Sequence, residues 1–198
     1  MPVTKSAWIS ALVLGVMTQQ MAGQSARPLS IQASYIRVTL YGDSYNGVKA
    51  ANGVEGQLRY TKGSFSIGAG LEYTKHGFAD DPQGYALRRI GPFLEPRYLI
   101  PTASNSVAPY LAARLSYVSV RVLIPKSVTS VSAGSAKGTT LNFGGGLLLR
   151  VIPRVNLDLG GSFGRSDFGN VTFDDGNVGG DFGTGLNLIL RAGFTLGI

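Results

Sequence analysis

Apolar and polar side chains alternate with a period of two along most of this chain. In residues 65–74, the apolar Phe65, Ile67 and Leu71 share one parity, and the other parity carries small or polar residues such as Glu72. Successive side chains of a β-strand point to opposite faces, so alternation over this length indicates a strand with one apolar and one polar face.

The same alternation defines eight segments. They cover about 33–41, 54–61, 65–74, 86–99, 108–118, 140–151, 155–164 and 185–198. Long polar connections lie near 42–53, 75–84, 121–138 and 165–183, and short ones near 62–64, 101–106 and 152–154. Because long and short connections alternate, the pattern predicts an all-β fold, an eight-stranded antiparallel up-and-down barrel.

The fifth segment departs from this regularity. Its apolar side chains, Leu111 and Leu115 among them, change parity at Val118, and Val120 follows the new parity. We expect either a β-bulge at this point or a strand that runs beyond the main sheet.

Charged side chains fall on the less apolar parity of their segments. They are Arg37, Glu55, Arg59, Glu72, Arg89, Glu95, Arg97, Arg114, Arg150, Asp158 and Arg191. In the first segment this assignment sets Arg37 on one face and Ile36, Val38 and Leu40 on the other.

Two classes of barrel share this alternation: a soluble lipocalin-like binder with its apolar face inward, and a transmembrane barrel with its apolar face in lipid. Glycine distinguishes them, because glycine weakens a strand and gives no benefit on a face exposed to water. Glycines occupy the charged parity at positions 68, 70, 144, 146, 160 and 193. The interior of an eight-stranded barrel has just enough room for side chains, so we predict that the charged parity faces inward and the apolar parity faces lipid.

The predicted interior then holds seven arginines and four acids. Buried charges persist when they are paired and hydrogen-bonded, so we interpret these residues as an ion-pair network that fills the lumen. The alternative is a cation-lined pore that prefers anions. An eight-stranded barrel is too narrow for an open water channel, which favours the network.

Composition and charge exclude several other classes of protein and of functional site. The chain carries 18 basic and 11 acidic residues for a formal charge of +7, yet its basic residues are scattered and Arg88-Arg89 is the one adjacent arginine pair. A nucleic-acid surface needs a basic patch or stripe, so no nucleic-acid partner is expected. The absence of cysteine excludes disulfides, cysteine metal sites and thiol catalysis.

Residues 1–26 have the pattern of a secretory signal peptide. Lys5 precedes an apolar stretch from Ala7 to Met17, which is too short to span a bilayer. Small and polar residues follow the apolar stretch up to residue 26, and cleavage after Ser25 or Ala26 fits them best. The predicted mature domain is therefore a barrel over 27–198.

With these residues in view, the chain resembles the small eight-stranded outer-membrane barrels of Gram-negative bacteria, such as the OmpA transmembrane domain and the OmpX-like and OmpW-like proteins. In that family the last strand carries an assembly signal, and Arg191, Gly193, Leu196 and Ile198 match its positions, although the chain ends in Ile and not the commoner Phe. The resemblance implies a monomer in the cell outer membrane. The implied partners are outer-membrane lipid, lipopolysaccharide and the barrel assembly machinery.

No catalytic, metal or cofactor site is predicted. Some barrels of this kind are enzymes that act on lipid A, and they need a Ser, a His and an acid. The single histidine, His76, is expected in a solvated loop. Asp174, Asp175 and Asp181 could offer oxygen ligands to Ca²⁺, but their spacing matches no EF-hand.

The third and fourth long connections carry opposite charges. The third has Arg121, Lys126 and Lys137 without acids, and the fourth is rich in Asp. We expect these two connections to attract each other above the barrel mouth, with little effect on stability.

These observations predict a non-enzymatic outer-membrane protein. Its expected role is in envelope integrity, adhesion or surface interaction through the extracellular loops. An OmpW-like conduit for small hydrophobic solutes is the alternative, and a soluble lipocalin-like binder is a further one.

Overall fold

The computed structural model describes residues 28–79, 81, 83–104, 106–125 and 133–198. The predicted signal peptide, residues 1–26, lies outside the described residues, so its assignment stays a prediction. Among the described residues no helix is long and apolar enough to cross a membrane.

Eight antiparallel strands form a closed barrel, in which each strand pairs with the next and the last pairs with the first. The strands are β1 (Leu29–Tyr41), β2 (Ala51–Lys62), β3 (Phe65–Gly77), β4 (Ala86–Leu99), β5 (Val107–Leu123), β6 (Gly134–Ile152), β7 (Val155–Phe173) and β8 (Val178–Gly197). Closure pairs every strand on both sides, so the sheet has no open edge. The predicted fold class is confirmed.

The connections divide the barrel into two ends. One end, here called the turn end, holds the start of β1, the end of β8 and the connections 63–64, 100–106 and 153–154. The other, the loop end, holds the connections 42–50, 78–85, 124–133 and 174–177. One of the two two-residue turns, Gly63-Ser64, uses a glycine with φ of 59°, a conformation that other residues rarely adopt.

The last hairpin is longer than the sequence predicts. Residues 165–183, expected as a loop, continue β7 and β8 with a turn at 174–177. Ser166 and Phe168 point inward and are buried on this extension, and they pair with Gly185 and Gly183 of β8. The glycine-rich and aspartate-rich composition conceals an alternation that continues as far as Phe168, and the pairing with β8 shifts register between Asn170 and Thr172.

The outer surface is an apolar band. Large hydrophobic side chains point outward on every strand, for example Ile31, Leu58, Ile67, Leu94, Leu115, Phe143, Phe163 and Phe194. Polar side chains on the opposite parity, such as Gln57, Thr74 and Asn187, are buried inside. A lipocalin-like binder has the reverse arrangement, an apolar interior behind a polar surface, so the soluble alternative is wrong for this chain.

On β1 the predicted faces are reversed. Ile36 and Val38 are fully buried inside the barrel. Arg37 is exposed on the outside, where its Nη1 lies 3.4 Å from Asn52 Oδ1. The prediction fails because the interior near the loop end is apolar, so hydrophobicity no longer marks the outer face. Arg37 is therefore not an interior charge.

The expected irregularity in β5 is also absent. The pairing of β5 with β6 is continuous from Val107 to Arg121. Val118 and Val120 lie on the same inward parity as Arg114 and are buried. The strand neither bulges nor leaves the sheet, so both expectations are wrong. What changes at Val118 is the interior, which turns from polar to apolar.

Candidate functional site

A cluster of ionised side chains occupies the barrel interior. It contains five arginines and four acids, contributed by β2, β3, β4, β5, β7 and β8. We call these residues the charge cluster: Arg59, Arg89, Arg97, Arg114, Arg191, Glu55, Glu72, Glu95 and Asp158. Inward parity on neighbouring strands brings them together, because alternate residues of each strand project into the lumen.

Glu95 lies at the centre of the charge cluster and contacts four arginines. Its Oε1 is 3.0 Å from Arg59 Nη2 and 2.8 Å from Arg97 Nε. Its Oε2 is 2.9 Å from both Arg114 Nε and Arg191 Nη1. The carboxylate is 3% exposed, so these guanidinium groups replace its hydration.

Arg114 is the complementary centre and contacts three glutamates. Besides Glu95, its Nη2 is 2.6 Å from Glu55 Oε2 and its Nη1 is 3.2 Å from Glu72 Oε2. The guanidinium carbon lies 3.8 Å from the ring centroid of Phe93, a cation–π distance. Arg89 Nη1 lies 2.7 Å from Glu72 Oε1, an ion-pair contact without hydrogen-bond alignment.

Neutral residues complete the charge cluster around Asp158. The Asp158 carboxylate is 2.8 Å from Arg97 Nη2 and accepts hydrogen bonds from Tyr110 Oη and Gln32 Nε2, each at 2.7 Å. Arg191 Nη2 donates to Tyr110 Oη at 2.9 Å. The charges predicted from the sequence do not include Tyr110 or Gln32, because neither side chain is charged. Their inward parity was the available signal.

The interior glycines make room for these large side chains, as the sequence predicts. A Cβ atom on Gly160 or Gly146 would lie 2.4 or 2.5 Å from Tyr110 Oη. A Cβ atom on Gly70 would lie 2.8 Å from Cζ of Phe93. Each distance is shorter than side chains tolerate, so these positions require glycine.

The two remaining predicted interior charges lie elsewhere. Arg150 is half-buried near the turn end, and Arg37 is on the outer surface. Nine of the eleven predicted residues therefore meet in one cluster.

An apolar cluster lies between the charge cluster and the loop end. It consists of Ile36, Val38, Leu40, Tyr45, Leu87, Val118, Val120, Ala136, Phe168 and Ile189. Tyr45 enters it from a single 3-10 turn, Asp43–Tyr45, and packs edge-on against Phe168 and Phe182 with ring centroids 6.4 and 5.7 Å apart. Burial raises the pKa of the Tyr45 phenol to about 12, so this ring stays neutral at physiological pH.

A small apolar cavity adjoins this cluster at the loop end. Its volume is about 240 Å³, and its lining includes Leu87, Val120, Val122, Val171 and Phe182. Pockets for drug-sized ligands are roughly 300–1,000 Å³. The cavity is therefore suited to a small apolar group.

His76 does not lie in a loop, contrary to the sequence expectation. It belongs to β3, points inward and is fully buried. Its Nδ1 is 3.0 Å from the carbonyl oxygen of Lys49 and its Nε2 is 2.9 Å from Thr74 Oγ1. A carbonyl oxygen accepts, so Nδ1 donates and Nε2 accepts from the threonine hydroxyl. Both ring nitrogens are occupied by groups other than a serine or a carboxylate.

One contact joins the two oppositely charged segments at the loop end. Arg121 Nη2 lies 2.6 Å from Asp174 Oδ2, and both side chains are substantially exposed. The expected attraction is confirmed for this pair. The same attraction was also expected of Lys126 and Lys137. Lys126 lies outside the described residues.

The other candidate Ca²⁺ ligands bind their own backbone. Asp175 Oδ1 accepts from the amide of Asn177, and Asp181 Oδ1 accepts from the amide of Gly183, each at 3.0 Å. Across the part of the chain that the structure describes, no group of His, Asp and Glu is arranged to hold a metal ion.

The residues of the predicted assembly signal lie on both faces of β8 and, for Ile198, directly after its last residue. Leu196 and Ile198 point outward, each 46% exposed. Gly193 points inward, where a Cβ atom would lie 2.5 Å from the carbonyl oxygen of Ala33. Arg191 belongs to the charge cluster. The role of these residues in assembly stays a prediction.

No protein-family model and no curated protein sequence matches the chain. Solved structures do match. The chain has the fold of the small outer-membrane barrels. Neisserial surface protein A is 22% identical, with a TM-score of 0.56, and the match covers 86% of this chain and 97% of that one. OprG of Pseudomonas aeruginosa is 11% identical, with a TM-score of 0.54 and coverage of 89% and 98%.

A third match is Ail, the attachment invasion locus protein of Yersinia pestis. It is 16% identical, with a TM-score of 0.50, and the match covers 85% of this chain and 97% of Ail. At these identities the similarity shows the fold alone.

Proposed function

We propose that this chain is a non-enzymatic outer-membrane barrel with a sealed lumen, which acts through its loop end in envelope integrity, adhesion or surface interaction. The similarity of its fold to outer-membrane barrels and its outward apolar band support the location. A sealed barrel offers no route for solutes, which leaves the surface at the loop end as the part available to partners.

The burial of the charge cluster carries this proposal. A water-filled channel past the cluster would expose its charged groups. Instead Glu72, Arg89 and Asp158 are at most 1% exposed, and Arg191, the most accessible side chain of the cluster, reaches 8%. Each acid has at least one arginine at ion-pair distance, and the five arginines exceed the four acids by one positive charge, which lies on side chains at most 8% exposed.

Purified barrel in planar lipid bilayers should therefore give little steady conductance. A charge-cluster variant that opens the interior serves as the positive control: Arg114→Ala removes the guanidinium that joins three glutamates. Steady single-channel currents from the wild-type chain would contradict the sealed lumen.

If the outward apolar band lies in the membrane, a charged side chain introduced there should strongly destabilise the barrel. Leu115 lies at the middle of β5 and is 53% exposed. Replacing it with Arg puts a charge at mid-bilayer, which should destabilise the inserted barrel by about 2–4 kcal/mol. Unfolding in phospholipid vesicles measures the change.

A matched variant separates lipid exposure from exposure to water. Val178, at the loop-end start of β8, is 66% exposed, so Val178→Arg should cost little. Equal stability of Leu115→Arg and Val178→Arg would show that the band around Leu115 faces water.

The second candidate is an OmpW-like conduit for small hydrophobic solutes, and the apolar cavity at the loop end favours it. A conduit needs a path from this cavity through the barrel wall, since the charge cluster closes the axis. Protein-dependent uptake of a small hydrophobic solute into vesicles, in the absence of ionic conductance, would favour the conduit over the surface role.

A further inference from the structure

A buried histidine attaches the first long connection to the barrel. His76 is fully buried near the loop end of β3, and its Nδ1 donates to the carbonyl oxygen of Lys49 at 3.0 Å. Lys49 belongs to the connection 42–50 between β1 and β2. Its side chain is exposed, so the connection meets His76 through its backbone.

Backbone pairing extends this attachment along the end of β3. The amide of Lys49 donates to the carbonyl oxygen of Gly77 at 2.8 Å. Val48 forms a β-bridge with Phe78, and both side chains pack against the apolar cluster. The middle of the connection is therefore held against the barrel by a few contacts, and His76 makes the one that involves an ionisable side chain.

The immediate neighbours of His76 suit its neutral form. Leu87, directly opposite His76 in the pairing of β3 with β4, belongs to the apolar cluster. Tyr45, from the same connection, carries a phenol with a pKa of about 12 and is neutral. Thr74 Oγ1 lies 2.9 Å from Nε2, where a neutral ring accepts a hydrogen bond. Arg89, the next inward residue of β4, repels an imidazolium ion.

The acids nearest to His76 along the inward face are already engaged by arginines. Glu72, the acid of β3, lies 2.7 Å from Arg89 and 3.2 Å from Arg114. Glu55, the acid of β2, lies 2.6 Å from Arg114 and 3.1 Å from Arg191. A positive charge on the buried ring therefore gains no partner from either neighbouring strand, and it adds to the charge of Arg89.

The pKa of His76 favours release of the ring in acid. The outward apolar run of β3 ends at Tyr73 and is followed by Lys75, so His76 lies beyond the lipid-facing part of the strand. Burial, and Arg89 besides, lower the pKa of the ring below its ordinary value of 6.5, although the hydrogen bond to Lys49 raises it. A ring released into water regains the ordinary value, so protons stabilise the released state. The attachment is fully present above about pH 6.5 and weakens as the pH falls below it.

We propose that protonation of His76 in acid releases the connection 42–50 from the loop end, so that His76 acts as a pH switch. Protonation converts Nε2 from an acceptor into a donor, and the hydroxyl of Thr74 no longer donates to it. Release withdraws Tyr45 from the apolar cluster and changes the surface at the loop end. The switch goes beyond the proposed function and depends on the outer-membrane location only for the source of the protons, which is the external medium.

A spin label detects this release. The chain contains no cysteine, so one introduced cysteine is labelled uniquely. Asn46→Cys carries a nitroxide in the connection 42–50, and Asn177→Cys carries one in the exposed turn between β7 and β8 as the control. Spectra are recorded in detergent micelles from about pH 8 to about pH 5, the range in which histidine is the side chain that ordinarily titrates. A heat-dependent shift on an SDS gel confirms that the barrel stays folded at each pH.

The label at position 46 should become mobile as the pH falls, reversibly and with a midpoint below pH 6.5. The ratio of released to attached connection should rise by up to about tenfold per pH unit, the limit for one proton. The label at position 177 should not change. An immobile label at position 46 down to about pH 5 overturns the proposal.

Two variants assign the transition to His76. His76→Gln is neutral and can still donate to the carbonyl oxygen of Lys49, so the label at position 46 should stay immobile throughout. His76→Arg carries a permanent charge, so the label should be mobile even at about pH 8. The same acid transition in His76→Gln as in the wild-type background overturns the proposal, because another group would then cause the release.

Discussion

Replacing Glu95 with Gln should destabilise the barrel by about 3–5 kcal/mol, the usual cost of breaking a buried ion pair from one side. The change keeps the shape of the side chain and removes its charge. Four arginines then lose their common partner at a site that is 3% exposed. Arg59 suffers most, because among the described residues Glu95 is the one acid at ion-pair distance from it, at 3.0 Å.

Urea unfolding in detergent micelles, followed by the heat-dependent gel shift, measures this loss. Asp174→Asn is the matched control, because it removes one acid from the exposed pair with Arg121. Exposed pairs contribute about 0–1 kcal/mol, so the control should unfold almost as wild type does. Similar stability of the two variants would mean that water reaches the interior around Glu95 and screens its charges.

The sequence predicts the barrel well where the interior is polar. On β2 and β3, Glu55, Arg59 and Glu72 face inward and Leu58 and Ile67 face outward, as alternation indicates. Hydrophobicity identifies the outer face there because lipid and the charge cluster impose opposite demands on the two parities. Nine of the eleven predicted charges meet for the same reason.

The same rule fails where the interior is apolar. Ile36 on β1 and Val118 on β5 belong to the apolar cluster near the loop end. These side chains are as hydrophobic as the lipid-facing ones. An assignment by hydrophobicity alone therefore places them on the outer face, although they point into the barrel. Only the register with neighbouring strands decides the face: Ile36 is paired with Arg191, an interior residue. A single sequence does not reveal that register.

The sequence prediction places His76 and residues 165–183 in loops because of their composition, and both belong largely to strands. Polar and glycine-rich segments are typical of loops, but strands of this barrel extend beyond the apolar band, where both faces tolerate polar residues. His76 continues the inward parity of Glu72 and Thr74. The continuing alternation was visible in the sequence, and composition outweighed it.

Replacing Leu196 with Asp should abolish insertion of the chain into the outer membrane. By the family resemblance Leu196 belongs to the assembly signal, and it points outward near the end of β8. The substitution puts a charge on the lipid-facing side of the signal, so the chain should not be inserted. Deleting residues 194–198 should also leave the chain unfolded in the periplasm or degraded, because it removes the signal and an unclosed sheet does not persist in hydrocarbon. Immunoblots of separated outer-membrane and periplasmic fractions measure the level.

Ile31 provides the control that separates the signal from the lipid-facing surface. It is directly opposite Leu196 in the pairing of β1 with β8, and both side chains are 46% exposed. Ile31→Asp therefore places the same charge at the same depth, outside the signal. Near the interface such a charge costs roughly 0–1 kcal/mol, so this variant should insert at a reduced but substantial level.

Ile198→Phe completes the set. It keeps an apolar outward residue and restores the commoner ending of the signal, so insertion should hold or rise. Equal losses in Leu196→Asp and Ile31→Asp would assign the defect to charge in lipid, and the signal would have no part in it. Normal outer-membrane levels of Leu196→Asp would refute the signal outright. Loss confined to Leu196→Asp and the deletion leaves β8 with two separate tasks: Arg191 on its inner face joins the charge cluster, and the outward residues direct assembly.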